Sequence, residues 1–161
     1  MRNVIVKKTE NPEYGYNSKE QLLKDTNQHR QDVGKVLGEL SLYLFERGVA
    51  HDWSKLAFFE QFSQDTLERQ DTPDFKSRPW YKIHTTEERH HVNANVPEDV
   101  DLIDLLEMIV DCVVAGKTRS GEVNNDFLIL KDNILEDAYW NTVKKITDTV
   151  IVEKQGGLDN G

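Results

Sequence analysis

Hydrophobic positions along the chain recur mainly at helical spacing. Leu22, Val33, Val36, Leu37, Leu40 and Leu44 form a stripe that predicts a long first helix, from Ser18 to about Arg47. Ser18 reads as its N-cap, Gln21 completes a capping box three residues on, and Gly48 reads as its stop. Gly34 and Gly38 lower its propensity slightly but permit close packing with a neighbour. A second helix is expected from a Ser54 cap to about Gln70, with Leu56, Phe59 and Phe62 inward, before Asp71-Thr72-Pro73-Asp74 breaks the pattern. Ser77 to Val92 reads as one or two short helices rich in aromatics and histidine, and Asn93 to Pro97 as a loop. Pro97 to Ala115 is a strong helix pattern, with acidic residues in the first turn and Gly116 at the end. A last helix is expected from Asp126 to about Thr149.

Outside this helical run, Val4 to Val6 reads as a short strand or an arm, and Asn11 to Gly15 as a turn. The residues from Gln155 are Gly-rich and polar, and a disordered tail is expected. The predicted fold is therefore all-α, a single-domain bundle of about five or six helices over residues 18–152. An N-terminal arm (1–17) and a flexible tail (153–161) flank it.

Composition narrows the function classes. A chain of 161 residues is long enough for one sizeable core, and 37% hydrophobic with 30% charged residues fits a soluble globular protein. No stretch approaches the roughly 20 apolar residues that span a bilayer, so no membrane role is expected. The start carries only three consecutive apolar residues before Lys7, too few for a secretory signal. A single cysteine, Cys112, excludes a disulfide within the chain and makes a cytoplasmic setting the natural expectation. Cys112 itself reads as a small buried hydrophobe. The net charge of −9 argues against a broad nucleic-acid surface, which needs clustered Lys and Arg. An acidic protein that handles a phosphate compound needs a local cation, and a bound metal ion is the simplest one.

The five histidines, His29, His51, His84, His90 and His91, lie next to carboxylates in the middle of the chain. His29 falls on the apolar stripe of the first helix and is expected to point inward, either as a core histidine or as a ligand. His51 and Asp52 sit in the turn between the first two helices, where both side chains can converge on one ion. A favourable position near a helix N-terminus is the other role open to Asp52. Asp111 lies mid-helix among Ile109, Val110, Val113 and Val114, where a carboxylate is unfavourable unless paired or metal-bound. Asp104 and Glu107 share its face. Asp104 reads equally well as part of a solvated face. His84, Glu88 and His91 would share one face of a continuous helix, and only one of His90 and His91 is then expected to face the site.

The ordered set His29, His51-Asp52, Asp111 resembles the H…HD…D pattern of the HD-domain metal-dependent phosphohydrolases. His51-Asp52-Trp53-Ser54-Lys55 looks like the HDxxK form common there. The run from this motif through His90-His91 to Glu107-Met108-Ile109-Val110-Asp111 also looks like an HD-related family of bacteria and their viruses. The resemblance covers roughly Asn27 to Gly116. It implies an HD-type helical bundle in which His29, His51, Asp52 and Asp111 ligate a metal. It further implies that Lys55 faces the phosphate and that His84 with His90 or His91 binds a second metal or the phosphoryl group.

Imidazole and carboxylate ligands together suit Mn, Fe, Co, Ni or Zn, as one ion or two, and Mg less well. Glu107 or Glu88 would act as general base or as a hydrogen-bonding partner of a ligand. Lys117 and Arg119 would add positive charge at the mouth of the site, unless they are ordinary loop cations. The expected reaction is hydrolysis of a phosphate ester or anhydride in a small phosphorylated substrate such as a nucleotide. Two other readings stay open: a di-iron oxygenase-like relative, and a metal- or nucleotide-binding module without turnover. The aromatic residues Trp53, Trp80, Tyr81 and Trp140 are candidates for core packing, for a pocket or for a homo-oligomer interface.

Overall fold

The computed structural model describes residues 1–8, 15, 18–68, 74–123, 128–131 and 133–153. Its elements are β1 (Val4–Lys7), α1 (Lys19–Ala50), α2 (Trp53–Ala57), α3 (Phe59–Glu68), a 3-10 turn (Phe75–Ser77), α4 (Pro79–Glu87), α5 (Leu102–Arg119), α6 (Ile134–Thr149) and β2 (Val150–Glu153). The fold is mainly helical, as the hydrophobic spacing predicts. Contacts divide the chain into two compact units, one built from Met1–Phe45 with the chain from Lys144 onward, the other from Glu46–Val143. Among the described residues, no helix is long and apolar enough to cross a membrane. The expected turn at 11–14, the break at 71–73 and the tail fall outside the described residues.

In the first unit, the expected strand or arm is β1, and it pairs in parallel with β2, Val4 opposite Val150 and Lys7 opposite Glu153. The near-repeat Val-Ile-Val-Lys and Val-Ile-Val-Glu supplies the β-branched residues both strands favour. Ser18 caps α1 as expected, its Oγ accepting from Gln21 N at 3.1 Å. The Gln21 side chain donates forward to Asp25 Oδ1 at 3.0 Å. The helix does not stop at Gly48 but continues to Ala50. Its apolar stripe is only partly covered: Val36, Leu40 and Leu44 are half-buried, Leu22, Val33 and Leu37 are 45%, 43% and 56% exposed, and Asp25 and Asp32 are buried. Asp32 is paid for by its partners, accepting from Lys7 N at 3.4 Å, Gln28 Nε2 at 3.0 Å and Lys35 Nζ at 2.7 Å.

The second unit holds the apolar core, Val92, Val100, Leu105, Met108, Ile134 and Ala138, with Cys112 partly buried against it. The predicted second helix is two helices broken at Phe58. Ser54 is buried within the first of them rather than capping it, and Leu56 and Phe59 point to solvent. Phe62 does pack inward, 4.6 Å from the ring of Trp80. The α5 helix starts at Leu102, not Pro97, because Asp101 provides a full cap. It accepts from Ile103 N at 2.8 Å and Asp104 N at 3.0 Å, while Asp104 Oδ2 accepts from Asp101 N at 3.0 Å. Gly116 does not end α5. It lies inside the helix, where a Cβ would meet Glu122 O at 2.6 Å, so its role is close approach of the following chain. The last helix, α6, starts at Ile134, the expected start at Asp126 lying outside the described residues, and Leu128 and Leu130 pack against the core before it.

Candidate metal centre

Everything in this site lies in the second unit and is positioned by three short pieces of chain. The first is the α1–α2 turn. Asp52 has φ 58, the left-handed region, which aspartate tolerates better than most residues. That turn lets neighbouring His51 and Asp52 face the same place, with His51 Nε2 3.7 Å from Asp52 Oδ2. Lys55, one turn on, makes a very close ion pair with Asp52 Oδ2.

The second piece is the end of α4 and the turns after it. His84 is buried in α4, its Nδ1 2.8 Å from Ser54 Oγ and its Nε2 3.4 Å from Asp52 Oδ1. The helix ends at Glu87, so Glu88 through His91 follow turn geometry rather than a helix face. As a result both His90 and His91 reach the cluster, which corrects the expectation that one of them points away. His91 Nε2 meets His84 Nε2 at 2.7 Å. Glu88 is buried and accepts from Ser54 N at 2.8 Å, fixing α2 to this turn.

The third piece is the α5 face carrying Asp104, Glu107 and Asp111. His51 Nδ1 donates to Glu107 Oε1 at 3.0 Å, and His51 Nε2 is 3.5 Å from Asp111 Oδ1. His90 is 1% exposed, with Nδ1 3.2 Å from Glu107 Oε1 and Nε2 3.8 Å from Asp52 Oδ1 and 4.0 Å from Asp111 Oδ2. Behind Glu107, Arg47 bridges to Asp104, which is fully buried and also takes two bonds from Arg89. Asp104 is therefore not on a solvated face.

The electrostatics follow from these contacts. The bond to Asp111, then the bond to Glu107, raise His51 to about 10. Burial first, then the charge of Lys55, push His84 down to about 4. Burial, then neighbouring His90 and His84, push His91 down to about 3. Burial works to raise Glu107, but His51, His90 and Arg47 outweigh it and hold its carboxyl well below the ordinary range. Burial pushes the Cys112 thiol up, as for the small hydrophobe it reads as.

Among the described residues, three overlapping sets place one ligand atom from each residue within 4.8 Å of the others: His84, His90 and His91; His51, His90 and Glu107; Asp52, His84 and Glu88. Both ring nitrogens of His90 and Oδ1 of Asp52 are buried without a hydrogen-bond partner. Such atoms are unfavourable as they stand and are the donor types a divalent transition ion takes. The residues fit a metal.

A model described as a family of unknown function (DUF5662) matches residues 18–151. The chain belongs to that family. No curated protein and no solved structure matches it.

Of the residues singled out in the sequence of this DUF5662 member, the structure brings together His51, Asp52, Lys55, His84, Glu88, His90, His91, Glu107 and Asp111. His29 is exposed on α1 in the first unit and belongs to none of the three sets, contrary to the expectation that it points inward. Lys117 and Arg119 are exposed in the last turn of α5, Lys117 donating to Gly121 O at 3.3 Å. Sequence reading missed Arg47, Asp104 and Arg89 as supports of the cluster. A run of charged residues gives no sign of which ones a fold will bury as pairs.

Proposed function

We propose that this chain is a metal-dependent phosphohydrolase of HD type, hydrolysing a phosphate ester or anhydride of a nucleotide or similar small molecule. One observation carries the reading: the buried, unpartnered Nε2 of His90 faces the buried, unpartnered Oδ1 of Asp52 across 3.8 Å. His51, His90, Asp52 and Asp111 would hold one divalent ion, and His84 with His91 would take part in a second, His84 Nε2 lying 3.4 Å from Asp52 Oδ1. The chemistry supplied by such ions is acidification of a water and stabilisation of charge on phosphoryl oxygens. Lys55, ion-paired with Asp52, would supply a positive charge for the phosphate. Glu88 Oε1 accepts from Ser54 N and so ties α2 to this turn, while Oε2, 4.0 Å from His90 Nδ1, would be the oxygen left for a proton or an ion.

The test is release of phosphate or nucleoside from a nucleotide panel with added Mn, Co or Mg. Turnover that is lost in Asp52→Asn supports the reading. No turnover on any member, with metal bound at the cluster, overturns it. A second reading rests on the histidine count: four imidazoles in one cluster also suit a pair of irons and oxygen chemistry. Iron retained through purification together with an oxygen-dependent product would favour that reading.

A further inference from the structure

We propose that Glu107 is not a metal ligand or a general base but the positioning carboxylate of two imidazoles, turning Nε2 of both His51 and His90 toward the ion. This rests on the metal-binding part of the reading above.

Both rings present the same edge to the same atom. Glu107 Oε1 lies 3.0 Å from His51 Nδ1, in a hydrogen bond, and 3.2 Å from His90 Nδ1, a contact close enough to become one with a small turn of the ring. Both Nε2 atoms face the opposite way, toward Asp52 and Asp111, at 3.5–4.0 Å. A carboxylate can only accept, so it selects a proton on Nδ1 and leaves the Nε2 lone pair for a metal. The two rings lie against each other, 4.4 Å between centroids and tilted by 41°, so a large turn of either displaces the other.

The alternative is an ion on the Nδ1 side with Glu107 as ligand. Charge argues against it. Glu107 Oε2 is ion-paired with Arg47 Nη2 at 2.5 Å, and Arg47 Nη1 donates to Asp104 Oδ1 at 2.8 Å. Asp104 is anchored in turn by Arg89 through Nε at 2.9 Å and Nη2 at 2.7 Å, and by Asp101 N at 3.0 Å. Signs thus alternate from Arg89 through Asp104 and Arg47 to Glu107. A cation next to Glu107 would face a guanidinium bound to that carboxylate, while one between Asp52 and Asp111 faces two carboxylates, with Lys55 as the neighbouring cation.

The experiment is nitrogen-15 NMR of the histidine side chains in the zinc-loaded full chain, with zinc affinity measured by chelator competition. In wild type, His51 and His90 are each expected to carry a proton on Nδ1 and zinc on Nε2. In Glu107→Gln at least one of the two rings loses that pattern, and zinc affinity falls about 10- to 100-fold. Circular dichroism checks that this variant folds, and Arg47→Lys, which keeps a cation beside Glu107, retains the wild-type pattern. Zinc on Nδ1 of either ring, or wild-type affinity in Glu107→Gln, overturns the proposal. So does failure of the wild type to take up zinc, which would also remove the metal from the functional reading. The expected pattern without any turnover overturns the hydrolase reading alone, and turnover with zinc on Nδ1 overturns this one alone.

Discussion

His51 connects protonation to metal binding. In the metal-free protein it stays charged at neutral pH, because Asp111 and then Glu107 raise it to about 10, while burial keeps His84 and His91 neutral at about 4 and about 3. An arriving cation must displace the His51 proton and finds the other two rings already free. We expect about one proton released per first ion at pH 7 on account of His51. Calorimetry in buffers of different ionisation enthalpy measures it, and His51→Gln should abolish the release. The sign for the metal-free fold is opposite to that for binding. A histidine raised from 6.5 to about 10 contributes stability that is fully present below 6.5 and lost as pH rises through about 10. Metal affinity should therefore rise with pH over the range in which the metal-free fold loses this support. A zinc affinity independent of pH between 6 and 9 would contradict the role of His51. Asp111→Asn removes the anion that faces both Nε2 atoms, and we expect it to lower zinc content well below that of wild type. The motif residues were legible because the His51-Asp52 pair and mid-helix Asp111 are anomalous in their local setting. The joint reach of His90 and His91 was not, because a helix through both would forbid it, and only the end of α4 at Glu87 permits it.

At the scale of elements, caps and close approaches decide the boundaries more than periodicity does. Asp101 satisfies two backbone donors of α5 and thereby fixes where the acidic face carrying Asp104, Glu107 and Asp111 begins. Asp101→Ala should lower stability by roughly 0.5–2 kcal/mol, the usual range for a lost N-cap, read as a shift in urea midpoint at constant slope. Gly116 tests the other end. A methyl there would lie 2.6 Å from the Glu122 carbonyl oxygen, which is backbone and cannot swing aside. Gly116→Ala should be destabilising by about 1–3 kcal/mol, as overpacking is, although alanine is the better helix former by about 1 kcal/mol. A neutral or stabilised variant would mean that the segment after α5 gives way freely. The sequence suggested glycine as a stop at both Gly48 and Gly116. Neither has a positive φ, and so neither has the backbone geometry that makes glycine a terminator. Strand β2 went unread because its four residues follow directly on a helical pattern, although their likeness to residues 4–7 was visible.

The balance of what is buried has a consequence for the molecule as a whole. Among the described residues, seven hydrophobic side chains are buried against twelve polar or charged ones. A core so dependent on polar pairing is sensitive to whether each polar atom is satisfied, and unpartnered atoms remain on His90 and Asp52. A ligand that binds only the folded state at one hundred times its dissociation constant adds about 2.7 kcal/mol. For a chain of this size that raises the unfolding midpoint by roughly 5–10 °C, at about 2–4 °C per kcal/mol. Calorimetric scans of chelator-treated and zinc-loaded protein should therefore separate by that amount. The gap should close in Asp52→Asn, which weakens the carboxylate shared by the two groups of histidines. An unchanged midpoint on loading would mean that no ion is held by the folded state in preference to the unfolded chain. The unpartnered atoms of His90 and Asp52 would then be satisfied by water rather than by metal.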